Sequence, residues 1–378
     1  MAAQQNQLTI AQQNYVNRQN LIKNGLHMVK QLQPVSGPVA ALPGTLRIPL
    51  ERMGIMTGIM LEITVPVTIA VAVPVPSAFG PYNLIKNVSY TDYAGLQRVL
   101  TSGYQLHVLN CFRGETFMNN TSTKGYLGGV EGAIDTNILS MPTATGSITF
   151  SLFVPIAYDA RSDLRGAVLS QTIYGDHYVT LNFADAFLGT DGLQHPYVTT
   201  AGETVVVTAG QSVTVQAYQH YIMPQQGVAN LPMIDLSTIY AIEGGYQDSA
   251  NVVAGQSKYI NWPNNRAIMS ATHIFDQAAV GGTLNGADIN RIILLGNSNT
   301  NIREMTPRYL RNQMRYHMDG DFPSGVYFLS SRNQPITTQL YGNVQTRFDL
   351  QTAAAGSYFL SQYESTYMSG TPLPGVIQ

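Results

Sequence analysis

The stretch Ile59-Met-Leu-Glu-Ile-Thr-Val-Pro-Val-Thr-Ile-Ala-Val-Ala-Val73 decides the fold class. Ile59, Leu61, Ile63, Val65, Val67, Ile69, Val71 and Val73 occupy every second position. Successive side chains of extended chain point to opposite faces, so all eight share one face. Glu62 and Pro66, with Pro74 just beyond, exclude a spanning helix, which needs about 20 uninterrupted apolar residues. Pro66 has no backbone donor, so an edge position or a break in the strand is expected there.

The same alternation recurs. Ile148, Phe150, Leu152 and Val154 alternate with polar neighbours, and further strands are expected at Tyr178–Phe183, Thr204–Thr208 and Val213–Tyr221. Val326–Ser330, Val344–Leu350 and Tyr358–Tyr363 follow. Turn residues separate these runs, which points to a sandwich or barrel. Two helices interrupt them. Tyr104, His107, Val108, Cys111 and Phe112 follow helical spacing over 102–113. Thr306 as N-cap and Pro307 at the first helical position open a second helix over 307–318. A strand opening at Asn83-Leu84-Ile85 precedes the first helix, and one opening at Asn290-Arg-Ile-Ile293 precedes the second. Two successive copies of one strand-rich unit are the simplest account. Their boundary is expected in the Pro224–Pro232 loop, giving a first unit over 44–228 and a second over 229–378.

Residues 1–43 differ from the rest. No acidic residue precedes Glu51. A helix is expected from a Thr9 cap to about Leu32, with Leu21, Ile22, Leu26, Val29 and Leu32 on its apolar face and Lys23 and Lys30 together on another. Pro34, Gly37, Pro38, Pro43 and Gly44 then read as a breaker-rich linker. The segment reads as an N-terminal arm. Its opening lacks the charged and apolar regions of a signal peptide, which points to synthesis in a cytoplasm.

Composition narrows the function. Charged residues make up 11% of the 378, against about 25% in an ordinary soluble protein, while 44% are hydrophobic. Net charge is −2, which excludes a basic nucleic-acid-coating protein and gives no reason to expect sequence-specific nucleic-acid binding. A surface so poor in charge suits contact with other protein, since interface cores are depleted of charge. The 22 tyrosines fit the same reading, but tyrosine is also common in sheets, and both readings stand.

Candidate chemistry is sparse. The seven histidines have no metal-ligand spacing among themselves or with the single cysteine, and no nucleophile elbow or phosphate-binding loop occurs. No catalytic residue, cofactor or metal is expected. His107 and Cys111 lie four apart on one helix face. A nucleophile pair is the sharp reading, and an inert half-buried thiol the simpler one. Asp319-Gly320-Asp321 lacks the further ligands of a calcium loop and reads as a turn or an ion pair. Arg308, Arg311 and Arg315 form a basic stripe that is solvated or faces another subunit.

Several stretches carry a family resemblance. They are Leu8-Thr-Ile-Ala-Gln-Gln13, Gly103-Tyr-Gln-Leu-His-Val-Leu-Asn110, Val154-Pro-Ile-Ala-Tyr158 with Asp163-Leu-Arg-Gly-Ala-Val-Leu169, and Leu231-Pro-Met-Ile-Asp-Leu-Ser-Thr-Ile-Tyr240. Asp321-Phe-Pro-Ser-Gly-Val-Tyr327, Arg332, Pro335-Ile336 and Tyr341-Gly-Asn-Val344 complete the series. In this order they resemble the major capsid proteins of tectiviruses, membrane-containing icosahedral bacteriophages. Departures concentrate in Gly114–Pro142, Gly244–Gln256 and the last residues. The resemblance implies two tandem eight-stranded jelly rolls, a double jelly roll, with the helical arm added. It implies a homotrimer of pseudo-hexagonal outline that tiles an icosahedral shell over an internal lipid membrane. Its partners would be itself, neighbouring trimers, minor capsid and vertex proteins, and the membrane through the arm. Arg18, Lys23 and Lys30 would supply the arm's cationic contacts, with Leu21, Ile22, Leu26 and Val29 as its apolar face. The alternatives are a jelly-roll glycan-binding or glycan-cleaving protein, or a vertex or spike component of similar fold.

Overall fold

The computed structural model describes residues 10–77, 79–113, 144–170, 175–199, 202–223, 236–249, 255–276, 289–297, 300–318, 325–351 and 357–368. The expected Thr9 cap, the Pro224–Pro232 boundary, the Gly114–Pro142 loop and the Asp319–Asp321 turn lie outside them.

Gly25 is where helix gives way to strand. Helix α1 (Ile10–Asn24) ends there, with the Gly25 N–H donating to Leu21 O at 2.8 Å. A Cβ at Gly25 would lie 2.5 Å from that oxygen and 2.6 Å from Ile222 Cγ2, so only glycine lets the chain pass this close to its neighbour. The expected helix to Leu32 is therefore corrected. Leu26–Gln31 is strand β1, and Val35–Val39, expected as linker, is strand β2. The helical spacing was genuine, but cross-strand pairing with an edge was available and overrode it. Pro34 marks the interruption between the two strands, which run along the same partner.

The following strands are β3 (Thr45–Pro49), β4 (Ile55–Ala70), β5 (Ile85–Thr91), β6 (Gln97–Thr101), β7 (Thr145–Pro155), β8 (Tyr178–Phe183), β9 (Thr204–Val207) and β10 (Ser212–Met223). Then come β11 (Thr238–Ser249), β12 (Ser257–Asn261), β13 (Ala267–Asp276), β14 (Ile289–Gly296), β15 (Thr300–Met305), β16 (Val326–Ser330), β17 (Gln345–Leu350) and β18 (Tyr358–Met368). Helix α2 (Gly103–Arg113) follows β6, and α3 (Pro307–Met318) follows β15.

Counting β1–β2 and β9–β10 as one interrupted strand each, both halves show one topology. In the first, β1–β10–β4–β7 form one sheet, and β3–β8–β5–β6 lie in another. In the second, the corresponding orders are β11–β18–β13–β16 and β12–β17–β14–β15. Each half thus pairs its strands first–eighth–third–sixth and second–seventh–fourth–fifth, antiparallel throughout. A helix sits between the fifth and sixth strands of both. This is the jelly roll, an eight-stranded double sheet, built twice.

β4 carries the decisive stretch. Ile59, Leu61, Ile63, Val65, Val67 and Ile69 face the core and are at most 2% exposed. The strand stops at Ala70, so Val71 and Val73, expected on the same face, are instead exposed. Pro66 neither breaks β4 nor sits at an edge, because β4 has partners on both sides. The break is in the partner: β9 and β10 are interrupted opposite it, and the Thr208 N–H donates to Pro66 O at 3.0 Å. A residue's N and O point the same way in a strand, so the missing Pro66 donor faces that interruption.

The rolls share one continuous sheet. β6 of the first pairs in parallel with β11 of the second, Val99 opposite Ile242 and Leu100 opposite Glu243. Gly244 and Gly245 fall where β11 slips register against β18. A Cβ at Gly244 would stand 2.4 Å from Thr101 Oγ1, so this glycine permits the close approach of the two rolls.

Candidate functional site: the junction between the rolls and the docked arm

Helix α2 is buried from Gly103 to Asn110, packed on β7 and β5 of its own roll and met on its other side by the second roll, whose Gly245 N–H donates to Gln105 Oε1 at 3.1 Å. Its end is the centre of the junction. Phe112 stacks on Phe328 of β16, ring centroids 3.5 Å apart and planes 6° apart. Arg113 Nη1 reaches Glu364 Oε1 of β18 at 3.1 Å, and its Nη2 donates to Ala157 O at 3.0 Å and to Tyr158 O. Arg332 donates to the same carboxylate at 2.8 Å, Ser270 Oγ at 2.7 Å and Tyr240 OH at 2.8 Å. Glu364 is 1% exposed. Burial by itself would raise its pKa. Arg332, Arg113 and the hydrogen bonds from Ser270 and Tyr240 outweigh that and hold it below the ordinary carboxylate range. One carboxylate from the second roll thus holds one guanidinium from each roll.

A second buried pair supports the first. Arg98 Nε donates to Asp92 Oδ2 at 2.6 Å, and Arg98 Nη1 to Gly166 O at 2.9 Å. Gly166 has φ +85°, and a Cβ there would lie 2.2 Å from Tyr240 Cβ. The segment after β7 is thereby pressed onto the second roll.

The arm residues split. Leu21 and Ile22 are buried with Ile55, Ala157, Leu164, Ala167 and Ile222. Gln19 Nε2 donates to Ser162 O at 2.7 Å, and Arg18 Nη1 stands 4.0 Å from Asp163 Oδ1. The structure therefore docks Arg18, Leu21 and Ile22 onto the first roll. Lys23, Lys30, Leu26 and Val29 are exposed, the last three on β1. The single apolar face expected of Leu21, Ile22, Leu26 and Val29 does not form, because Gly25 separates helix from strand between them. The junction was not anticipated from sequence. Arg113, Arg332 and Glu364 lie far apart in the chain and share no spacing, and the only available signal was a lone glutamate in an otherwise apolar and neutral strand.

The remaining candidates are structural. His107 Nε2 lies 3.7 Å from Cys111 Sγ, but the ring is stacked on Tyr82 and burial lowers its pKa to about 3. So weak a base does not activate a thiol. His273, also lowered to about 3 by burial, is held between Ser361 Oγ and Thr346 Oγ1 in the second core. Arg308 and Arg311 are exposed on α3, whose Leu310 and Met314 face the core. No group of His, Cys, Asp and Glu among the described residues could hold a metal.

Two jelly rolls in one chain, joined through a shared sheet and a buried ion cluster, make a double jelly roll. The chain belongs to the P3 major capsid protein family: the model for the N-terminal part of that protein matches residues 3–223 and the model for the C-terminal part matches 237–373. It is 29% identical to major capsid protein P3 of Enterobacteria phage PRD1, over 96% of this chain and 95% of that one. Its fold is similar to a chain of Sulfolobus Turreted Icosahedral Virus at TM-score 0.64 and 10% identity, over 91% of each chain. It is similar to major capsid protein P2 of bacteriophage PM2 at TM-score 0.51 and 10% identity, over 92% of this chain and 100% of that one. Its role is structural, in the capsid of a virion, where copies associate with one another.

Proposed function

We propose that the chain works as a homotrimer of pseudo-hexagonal outline, that its trimers tile an icosahedral shell, and that α1 lies on the side of the shell facing an internal lipid membrane. The observation that carries this reading is the repetition of one strand order in both rolls. Three chains with two like rolls each present six similar corners to a hexagonal lattice. The low charge content supports close lateral packing. Exposed Lys23 gives α1 its cationic contribution toward anionic headgroups, about 1 kcal/mol near the surface, while Arg18, its side chain 15% exposed, is turned toward Asp163. Copies summed over a shell would make so weak a contact effective. Minor capsid and vertex proteins would meet the rims of this lattice.

Light scattering tests the oligomer: a stable particle of three 41.2 kDa chains at micromolar concentration is expected, and a persistent monomer overturns the reading. Co-sedimentation of the full chain with anionic vesicles tests the membrane side. Binding that weakens as salt rises is expected, and no binding, or salt-independent binding, removes that part.

A further inference from the structure

Shared landmarks fix which residues correspond between the two rolls. Ser102 Oγ accepts from the Gln105 N–H, and Thr306 Oγ1 from the Tyr309 N–H, at 3.2 Å in both, so these two caps are equivalent. Counting along from them matches Val99 with Arg303, Leu100 with Glu304 and Phe112 with Tyr316. In the sheets, the ladder of third and eighth strands slips register between His220 and Tyr221 in the first roll. In the second it slips between Glu364 and Ser365. Aligning these slips matches Gly58 with Ser270, and through the ladders Val29 with Ile242, Lys30 with Glu243 and Phe153 with Phe328.

Within the chain, β6 and α2 of the first roll meet β11 and β16 of the second. Among their counterparts on the other side of each roll, β15, α3 and β1 carry exposed side chains, while Phe153 of β7 is 9% exposed. β15 is the outermost strand of its sheet, and Tyr316, the counterpart of the stacked Phe112, is 87% exposed. β1, the counterpart of β11, is exposed along its whole length, with Leu26 48%, Met28 44% and Val29 56% exposed. An outer strand with apolar side chains exposed is a liability unless something covers it. The surface that receives α2 inside the chain has one counterpart, the chain's own first roll.

We propose that a second copy of the chain covers this edge by repeating the junction between the rolls. β1 of the second copy lies parallel to β15, Val29 beside Arg303 and Lys30 beside Glu304, while Tyr316 packs on the second copy's Phe153. Charge agrees with the register. Glu304 already pairs with Arg291 at 2.9 Å, its side chain is 44% exposed, and Lys30 is an exposed cation. The contact is head-to-tail. It rests on the trimeric reading above, and supplies the residues that would hold the trimer together.

The test is a crosslink. In a Cys111→Ser background, Val29→Cys together with Arg303→Cys should give covalent trimers on a non-reducing gel, and neither single substitution should. Tyr316→Ala should raise the concentration at which half the chains are trimeric by about tenfold, the loss common for a buried interface aromatic. Glu304→Lys should weaken the trimer, and Lys30→Glu added to it should restore it. A monomeric wild-type chain would defeat the trimeric reading itself. A trimeric wild type overturns the proposal alone if the double-cysteine trimer stays uncrosslinked, or if Tyr316→Ala and Glu304→Lys assemble as tightly as wild type.

Discussion

Arg113, at the end of a first-roll helix, and Glu364, in the last strand of the second roll, form an ion pair 3.1 Å long whose side chains are 2% and 0% exposed. Burying two charges costs several kcal/mol each, so the pair is tolerated only because further hydrogen bonds satisfy both groups. What it confers is a defined relation between the rolls, since loss of Arg113 would leave the buried carboxylate with Arg332 alone, and loss of Glu364 would take that carboxylate from both guanidinium groups.

Removing one partner should therefore be costly. Arg113→Met is expected to destabilise the chain by about 3–5 kcal/mol, since it leaves the buried carboxylate one cation short and strips the donor from Ala157 O and Tyr158 O. Urea denaturation measures this, and a loss under 1 kcal/mol would show that the junction is wetter than the structure indicates.

Acid should destabilise the protein before its carboxylates protonate. His107 and His273 are lowered to about 3 by burial, from an ordinary value of 6.5. Below 6.5 the unfolded chain takes up protons that the native chain refuses, so stability is full above 6.5 and lost as pH falls toward 3. Each histidine contributes about 1.4 kcal/mol per pH unit in that window. Glu364 is shifted below its ordinary 4.5 and adds to the loss only at more acidic pH. The urea midpoint should fall steadily from pH 6.5 to 4.5. His107→Phe, which keeps an aromatic ring on Tyr82, should flatten that slope by one proton's worth; an unchanged slope would refute the assignment.

Gly166 should not accept a side chain. Its φ of +85° disfavours any L-residue, and a Cβ would strike Tyr240 Cβ and lie 2.9 Å from Ile156 O, neither of which can swing away. Gly166→Ala is expected to cost about 3 kcal/mol in the same denaturation assay. Gly95 and Gly210, also at positive φ but with open space around them, serve as controls that carry only the backbone penalty.

Truncation should separate the helix from the strand. Removing residues 1–24 deletes α1 and exposes Ile55 and Ile222, but leaves every strand in place, so a folded chain by circular dichroism and gel filtration is expected. Removing 1–43 also deletes β1 and β2, the partners of β10, and should give aggregated material. Equal behaviour of the two truncations would contradict the register of β1.

Much of the fold was legible because its signals are local. Period-two alternation placed β4, β7, β8 and β10, and a capping hydroxyl with a following proline placed α3 at its observed start. The β1 segment was misread for a reason that no local pattern corrects. Leu26 and Val29 suit a helix by spacing, and the strand exists only because the edge of β10, nearly two hundred residues later, offers hydrogen bonds.

By itself, the sequence determined that the chain is repeated, strand-rich and charge-poor, and its resemblance to a family added the capsid reading. Composition, alternation and cap residues act over a few positions and survive without knowledge of the partner. Only the tertiary structure decided where helix yields to strand at Gly25, and that Pro66 faces an interruption in its neighbour. It alone brought Arg113, Arg332 and Glu364 to one point, with Tyr316 left as the outward copy of Phe112. Those facts depend on which strands meet. Strand pairing is a long-range choice, settled by the whole set of ladders and by the burial they allow together.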